Sequence, residues 1–297
     1  MSFGPIAVGD VDGDGRSDIV LGTSAFDGGW DWRGPTGFTV LSLLADGGFS
    51  PFEPIVVFSN GAAVIDLAVQ DINGDGYPDI VLVDYYAGIG FIHGLSDGGL
   101  STPEILPFLP ALLVNDAPNQ FAVGDLDGDG LPDIVVSTQR RSLGVALQGP
   151  SGQFAWAGGP SIEPDTDLVP LVVDGQIALV GGYGIWLEHW DPDAGLVTVA
   201  TYATGQTGYA AGAADLNGDG RTDLVIGDGP RILFNHGGAY GLPSPPLGDS
   251  MNWYAGQFAM ADFDGDGRPD IAVPFVSSTD AGLAVFLNGC GADGGSP

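Results

Sequence analysis

One phrase recurs five times along the 297 residues, and no other feature limits the choice of fold as strongly. It reads GDVDGDGRSDIVLG from Gly9, QDINGDGYPDIVLV from Gln70, GDLDGDGLPDIVVS from Gly124, ADLNGDGRTDLVIG from Ala214 and ADFDGDGRPDIAVP from Ala261. Self-similarity on this scale marks an architecture built by stacking one small supersecondary unit. The first aspartates are spaced by 61, 54, 90 and 47 residues, so the 90-residue gap has room for a sixth, hidden copy. Residues 168–182, LVPLVVDGQIALVGG, supply its two apolar runs, with Asp174-Gly175 standing where the acidic loop would be.

Each unit repeats the same order: a short apolar run, the acidic loop, a β-branched run such as Ile134-Val135-Val136, a variable stretch, a third run, a Gly-rich turn and often a fourth run. Short runs rich in Val and Ile and bounded by Gly, Asp and Pro read as strands. Glycine and proline make up 73 of 297 residues, which excludes a mainly helical protein, while 44% hydrophobic content excludes a disordered one. About four strands per unit of ~45 residues is the arithmetic of a propeller blade, whose two faces are covered only by its neighbours. The expected fold is therefore an all-β, six-unit β-propeller forming a single domain over residues 1–297, with units at 1–61, 62–116, 117–164, 165–206, 207–254 and 255–297. Each blade is expected to hold four antiparallel strands, except that unit six lacks its outer strand, giving 23 strands in all. The third-strand edge at 283–287 is then bare, and the chain is a monomer or a weak edge-mediated dimer.

The spacing D-x-[DN]-x-[DN]-G-x-x-D places oxygen side chains at loop positions 1, 3, 5 and 9, with a glycine at 6 for the tight turn and the carbonyl of residue 7 pointing inward. Clustered carboxylates repel one another unless a hard cation joins them, and about six to eight oxygens at flexible distances suit Ca²⁺ better than Mg²⁺. The EF-hand, which shares the first half of the pattern, is excluded. Its twelfth position should be Glu and is here Leu21, Leu82, Val136, Ile226 or Val273, and strands rather than helices flank the loop. An Asp-Gly turn with acidic decoration would account for one isolated copy. Five copies with every oxygen position filled favour the cation. Three loops carry four carboxylates and two carry three, so eighteen of the 38 acidic residues lie in them, and five Ca²⁺ would bring the net charge from −31 to −21.

These motifs resemble FG-GAP, or VCBS-type, repeats, whose best-known relatives are the propellers of integrin alpha subunits. Unit one shows the pattern most fully, in Phe3-Gly4, then Val8-Gly9-Asp10-Val11-Asp12-Gly13-Asp14-Gly15, then Asp18-Ile19-Val20-Leu21-Gly22. The Gly-Ala-Pro part of the family motif is replaced by Gly22-Thr23-Ser24. Such propellers usually have seven blades, so six units fit either a six-bladed ring or part of a seven-bladed parent. The resemblance implies five calcium sites, each in the loop between strands one and two of a blade. The side-chain ligands would be Asp10/Asp12/Asp14/Asp18, Asp71/Asn73/Asp75/Asp79, Asp125/Asp127/Asp129/Asp133, Asp215/Asn217/Asp219/Asp223 and Asp262/Asp264/Asp266/Asp270. The position-7 carbonyls would be those of Arg16, Tyr77, Leu131, Arg221 and Arg268.

The charge balance, seven arginines and no lysine against 38 acidic residues, excludes nucleic-acid binding by a basic surface. No apolar run reaches transmembrane length, and the lone Cys290 excludes an internal disulfide framework. With calcium on the rim that holds the 1–2 turns, the variable 2–3 and 4–1 connections fall on the other rim. Arg33, Arg140, Arg141 and Arg231 fall there, with Trp30, Trp32, Tyr85, Tyr86, Tyr183 and Trp253. Arginine forks and aromatic rings on loops are the material of a recognition surface for a glycan or a protein segment; the alternative is that these rings plug gaps between blades. Three scattered histidines, His93, His189 and His236, define no catalytic set. The sequence thus points to a non-catalytic calcium-binding module, secreted or on a cell surface and suited to adhesion, whose export signal lies outside this chain. The alternatives are the scaffold of a polysaccharide-active lyase or glycoside hydrolase and a structural spacer.

Overall fold

Short apolar runs separated by Gly- and Asp-rich turns zigzag, and the described residues do so. The computed structural model describes residues 2–24, 34–44, 48–50, 54–107, 118–138, 143–158, 168–181, 184–204, 211–227, 230–247, 259–263, 266–276 and 281–289. Among these residues there are 22 strands and no helix, hence none long and apolar enough to cross a membrane.

The strands form six antiparallel sheets with their members in chain order, the plan of propeller blades. Blade one is β1 (Ser2–Gly9), β2 (Asp18–Ser24), β3 (Gly34–Leu41) and β4 (Pro54–Gly61). Blade two is β5 (Val64–Gln70), β6 (Asp79–Asp84), β7 (Gly88–Ile92) and β8 (Glu104–Leu106), and blade three is β9 (Pro118–Gly124), β10 (Asp133–Thr138), β11 (Leu143–Gln148) and β12 (Phe154–Gly158). These three belong to one compact unit, Met1–Glu163. The second unit, Pro164–Pro297, holds the other three. They are β13 (Leu168–Val173), β14 (Gln176–Gly181), β15 (Gly184–Asp191) and β16 (Gly195–Ala203); β17 (Ala211–Ala214), β18 (Asp223–Ile226) and β19 (Arg231–Leu233); and β20 (Ala259–Ala261), β21 (Asp270–Val276) and β22 (Ala281–Phe286).

The core lies between blades. Side chains on β6 alternate: Ile80 and Leu82 pack with Val20, Phe38 and Phe58 of blade one, whereas Val81 and Val83 pack with Phe121, Ile134 and Val136 of blade three. Because both faces are covered, every residue of β6 and β10 is buried, which is why the second strands read as unbroken apolar runs. In the second unit, Leu224 and Ile226 of β18 face blade four, and Val225 faces Ile271 and Val273 of blade six. Close approach of β1 and β2 to β5 needs glycine at position 22, where a Cβ would lie 2.9 Å from Val64.

The hidden sixth copy is blade four. Asp174 and Gly175 join β13 to β14 with φ of 49° and 74°, the left-handed pair that makes a two-residue type I′ hairpin. Blade five has three strands among the described residues, where a fourth is expected. Pro243, Pro245 and Pro246 lack the N–H groups a ladder needs, and the described segment beyond β19 is held by spaced bonds, from Gly241 N to Phe234 O (3.0 Å), Ser244 N to Ile232 O (2.8 Å) and Leu247 N to Pro230 O (2.7 Å). Blade six has three strands among the described residues, its chain beyond 289 lying outside them. The outer strands that do form are guarded: β4, β12 and β16 pair through bulges, and β8 has three residues with Glu104 among them.

Candidate metal centres and rim groove

Each acidic loop links the first strand of its blade to the second, and its own side chains wind it. The position-1 aspartate accepts backbone N–H bonds from across the turn. Asp10 takes those of Asp14 (3.0 Å) and Gly15 (2.9 Å), Asp71 those of Gly74 (2.8 Å) and Gly76 (2.9 Å), and Asp125 those of Gly128 (2.7 Å) and Gly130 (3.0 Å). Asp215 and Asp262 do the same for Gly220 and Gly267, both at 2.8 Å. Position 3 then accepts from position 5, and position 5 from position 7, as in Asn73 from Asp75 N and Asp75 from Tyr77 N, both 2.9 Å. Glycines at positions 4 and 6 are left-handed, Gly13 at 73° and Gly15 at 84° in loop one. The need for glycine at position 4 is not visible in the oxygen-ligand pattern.

The position-9 aspartate has a different place. Asp18, Asp79, Asp133, Asp223 and Asp270 are fully buried, each at the first residue of the second strand. One carboxylate oxygen accepts the position-2 N–H: Val11 (3.0 Å), Ile72 (3.0 Å), Leu126 (2.8 Å), Leu216 (3.1 Å) or Phe263 (2.8 Å). The other accepts the N–H of a residue just past or ending the third run: Leu43 (3.0 Å), Gly94 (2.8 Å), Gln148 (2.9 Å), Asn235 (2.8 Å) or Asn288 (2.6 Å). Position 9 thus clamps the loop to its own blade. Burial pushes the Asp18, Asp133 and Asp223 carboxyls up, against the pull of those same N–H donors.

The third-run residue also reaches the preceding blade. Gln148 Nε2 donates to Ile72 O (3.0 Å) and Asn288 Nδ2 to Leu216 O (2.6 Å), both carbonyls of the previous loop. Blade four has no loop, and there Asn235 Nδ2 donates instead to Asp174 (2.9 Å), whose other oxygen accepts from Thr222 Oγ1 (3.0 Å). Asp174 takes the part of the missing carbonyl. A Gln or Asn after the third apolar run was the signal in the sequence for these inter-blade links.

The donor set fits a hard divalent cation. In loops one and three the oxygens of Asp10, Asp12 and Asp18, and of Asp125, Asp127 and Asp133, lie within 4.8 Å of one another. In these two loops the position-5 carboxylates, Asp14 and Asp129, stand outside the group of three. Asp14 pairs with the Arg16 guanidinium, and Asp219 with Arg221 at 3.3 Å. In loop two Asn73 Nδ2 bonds Asp75 (3.0 Å) and meets His93 Nδ1 at 3.4 Å. In loop five Asp266 is exposed. Its carboxylate accepts Arg268 N (3.0 Å) and its backbone N–H donates to Asp262 (3.1 Å), bonds that wind the turn. Asp264 lies outside the described residues.

Of the expected ligand rim, Trp30, Trp32, Arg33, Arg140, Arg141, Tyr183 and Trp253 lie outside the described residues. Arg231 opens β19, and its guanidinium donates to Ser244 O at 3.0 Å, tying down the Pro-rich segment. Tyr85 and Tyr86 meet edge to face, with centroids 4.7 Å apart, in the turn after β6. That turn is organised by the buried Asp84, which accepts the N–H groups of Tyr86 (2.9 Å) and Ala87 (3.0 Å). The same carboxylate accepts Thr36 Oγ1 (2.7 Å) and Ala62 N (3.2 Å) from blade one and the chain leaving it. Between the two sides held by Asp84 runs a groove of about 330 Å³, lined by Phe58, Ser59, Asn60, Tyr86, Ala87 and Ile105.

Sequential antiparallel blades with an acidic loop between first and second strands define an acidic-loop β-propeller. The chain belongs to the FG-GAP-like repeat family, whose repeats are matched at residues 10–82, 71–136 and 215–273, more than half of its length. The stretch left unmatched contains the blade whose loop is replaced by Asp174-Gly175. Integrin alpha-6 of Gallus gallus is 32% identical over 159 residues, covering 48% of this chain and 14% of integrin alpha-6, so the chain spans about one-seventh of that relative's length. Among solved structures, BBS1N in its complex with ARL6DN is similar with a TM-score of 0.59 at 11% identity, over 99% of this chain and 94% of that one. The periplasmic gluconolactonase of Pseudomonas aeruginosa is similar with a TM-score of 0.54 at 13% identity, over 96% and 73%. At such identities the likeness is one of fold.

Proposed function

We propose that this chain is a non-catalytic, calcium-binding propeller of a secreted or cell-surface protein, which binds a glycan or protein ligand on the rim opposite its acidic loops. The observation that carries this reading is the repetition of one loop geometry. Carboxylates are gathered by backbone N–H groups and left-handed glycines at the same point of successive blades, in a chain with no lysine to neutralise them. In each loop positions 1, 3, 5 and 9 would hold the ion, which supplies positive charge and cross-links the turn. Calcium at the concentrations found outside cells suits such modules, and the kinship with integrin alpha chains favours the same compartment and a binding role.

The groove beside Tyr86 supports a binding role. Its walls join an exposed aromatic ring and the polar side chains of Ser59 and Asn60 to an apolar floor, a mixture that suits a ligand with both apolar faces and hydroxyl or amide groups. Screening on a glycan array and against extracellular protein segments, with calcium present, tests the reading. Tyr86→Ala is expected to weaken binding at least roughly tenfold, as loss of an aromatic anchor does, while calcium uptake and melting temperature stay unchanged. A lower melting temperature with unchanged binding would instead make Tyr86 a packing residue.

A further inference from the structure

The five loops share their oxygen positions but not residue 7, which is Arg16, Tyr77, Leu131, Arg221 and Arg268 in turn. A ligand carbonyl can come from any residue, so nothing in the coordination pattern calls for arginine. The structure gives the side chain a use of its own. Arg16 is anchored by Nε to Leu43 O at 2.7 Å and turns its guanidinium onto the carboxylate of Asp14, the position-5 oxygen group. Arg221 makes the same pairing with Asp219 at 3.3 Å, with its side chain half exposed. In loop three the corresponding Leu131 brings no charge.

We infer that the position-7 arginines are tethered counter-charges that compete with the metal ion for the position-5 carboxylate, so that the five loops bind calcium with graded affinity. The inference rests on the calcium reading above and adds to it an order of filling. A cation entering loop one or four must displace a guanidinium from Asp14 or Asp219, or share the carboxylate with it. Counting carboxylates and arginine together, loop three carries −4, loops one, two and five carry −3, and loop four, with Asn217 as well as Arg221, carries −2. Ligand charge is one of the main controls on calcium affinity. Loop three is therefore the first to fill and loop four the last.

Calorimetric titration of the whole chain with calcium chloride tests this. Leu131→Arg is expected to weaken the tightest step by roughly three- to tenfold, and Arg221→Leu to tighten the weakest step by a similar factor. Neither should change the number of ions bound. Arg221→Leu alters an exposed side chain and copies the residue already present in loop three, so it remains informative if Leu131→Arg folds poorly. Five equivalent steps, or variants that leave the extreme steps where they were, overturn the inference and leave the calcium reading standing. No calcium uptake at all overturns both.

Discussion

Chelation of calcium is expected to lower the melting temperature of this protein by about 10 °C or more at neutral pH, and added calcium to restore it. A ligand that binds only the folded state contributes about 2.7 kcal/mol per site at a hundredfold excess over its dissociation constant. For a chain of this size each kcal/mol moves the melting point by about 2–4 °C. Losing two saturated sites is thus enough for the expected shift. The physical cause is the charge pattern: eighteen of 38 acidic residues are gathered into five loops, and two of the chain's seven arginines are seen pairing with them. Differential scanning calorimetry with and without EDTA reads the effect directly, and an unchanged melting temperature would mean that the hydrogen bonds winding the loops suffice without an ion.

Asp133→Ala is expected to cost about 2–6 kcal/mol even in EDTA, whereas Asp127→Ala in EDTA should cost less than about 0.5 kcal/mol. Both lie in loop three, and both are ligands in the sequence pattern. Asp133 is buried and holds Leu126 N at 2.8 Å and Gln148 N at 2.9 Å, so its removal strands two buried donors at about 1–3 kcal/mol each. Asp127 is exposed and accepts one N–H from Asp129 at 3.1 Å, and its loss also relieves like-charge repulsion. Urea denaturation in EDTA separates the two. Equal losses would mean that position 9 has no clamping role of its own.

The architecture was legible because it is periodic. Five copies of one phrase fixed the blade length, and the doubled gap located blade four, where Asp174-Gly175 makes the tight turn that the pair favours. What the pattern could not show was the division of labour inside the loop. Asp14 and Asp18 look alike in a string of aspartates, yet one faces solvent beside Arg16 and the other is sealed under the loop with both oxygens occupied. Asp266 and Asp270 divide in the same way in loop five, the first exposed and the second buried. The difference arises from the third run, which for Asp18 lies 25 residues further on at Leu43, and distance in sequence hides it. The amides of Gln148, Asn235 and Asn288 recur at one place in the repeat, but their partners lie in the preceding blade, which the string alone does not show. That the described segment after β19 forms no strand was visible in Pro243, Pro245 and Pro246, whose missing N–H groups the repeat pattern does not register.

The most direct test of the account is the number of calcium ions bound per chain, measured by equilibrium dialysis at saturating calcium with the protein first stripped by chelator. Five complete oxygen sets and one Asp-Gly hairpin without a loop predict five ions. Fewer than four would contradict the reading of these loops as metal centres.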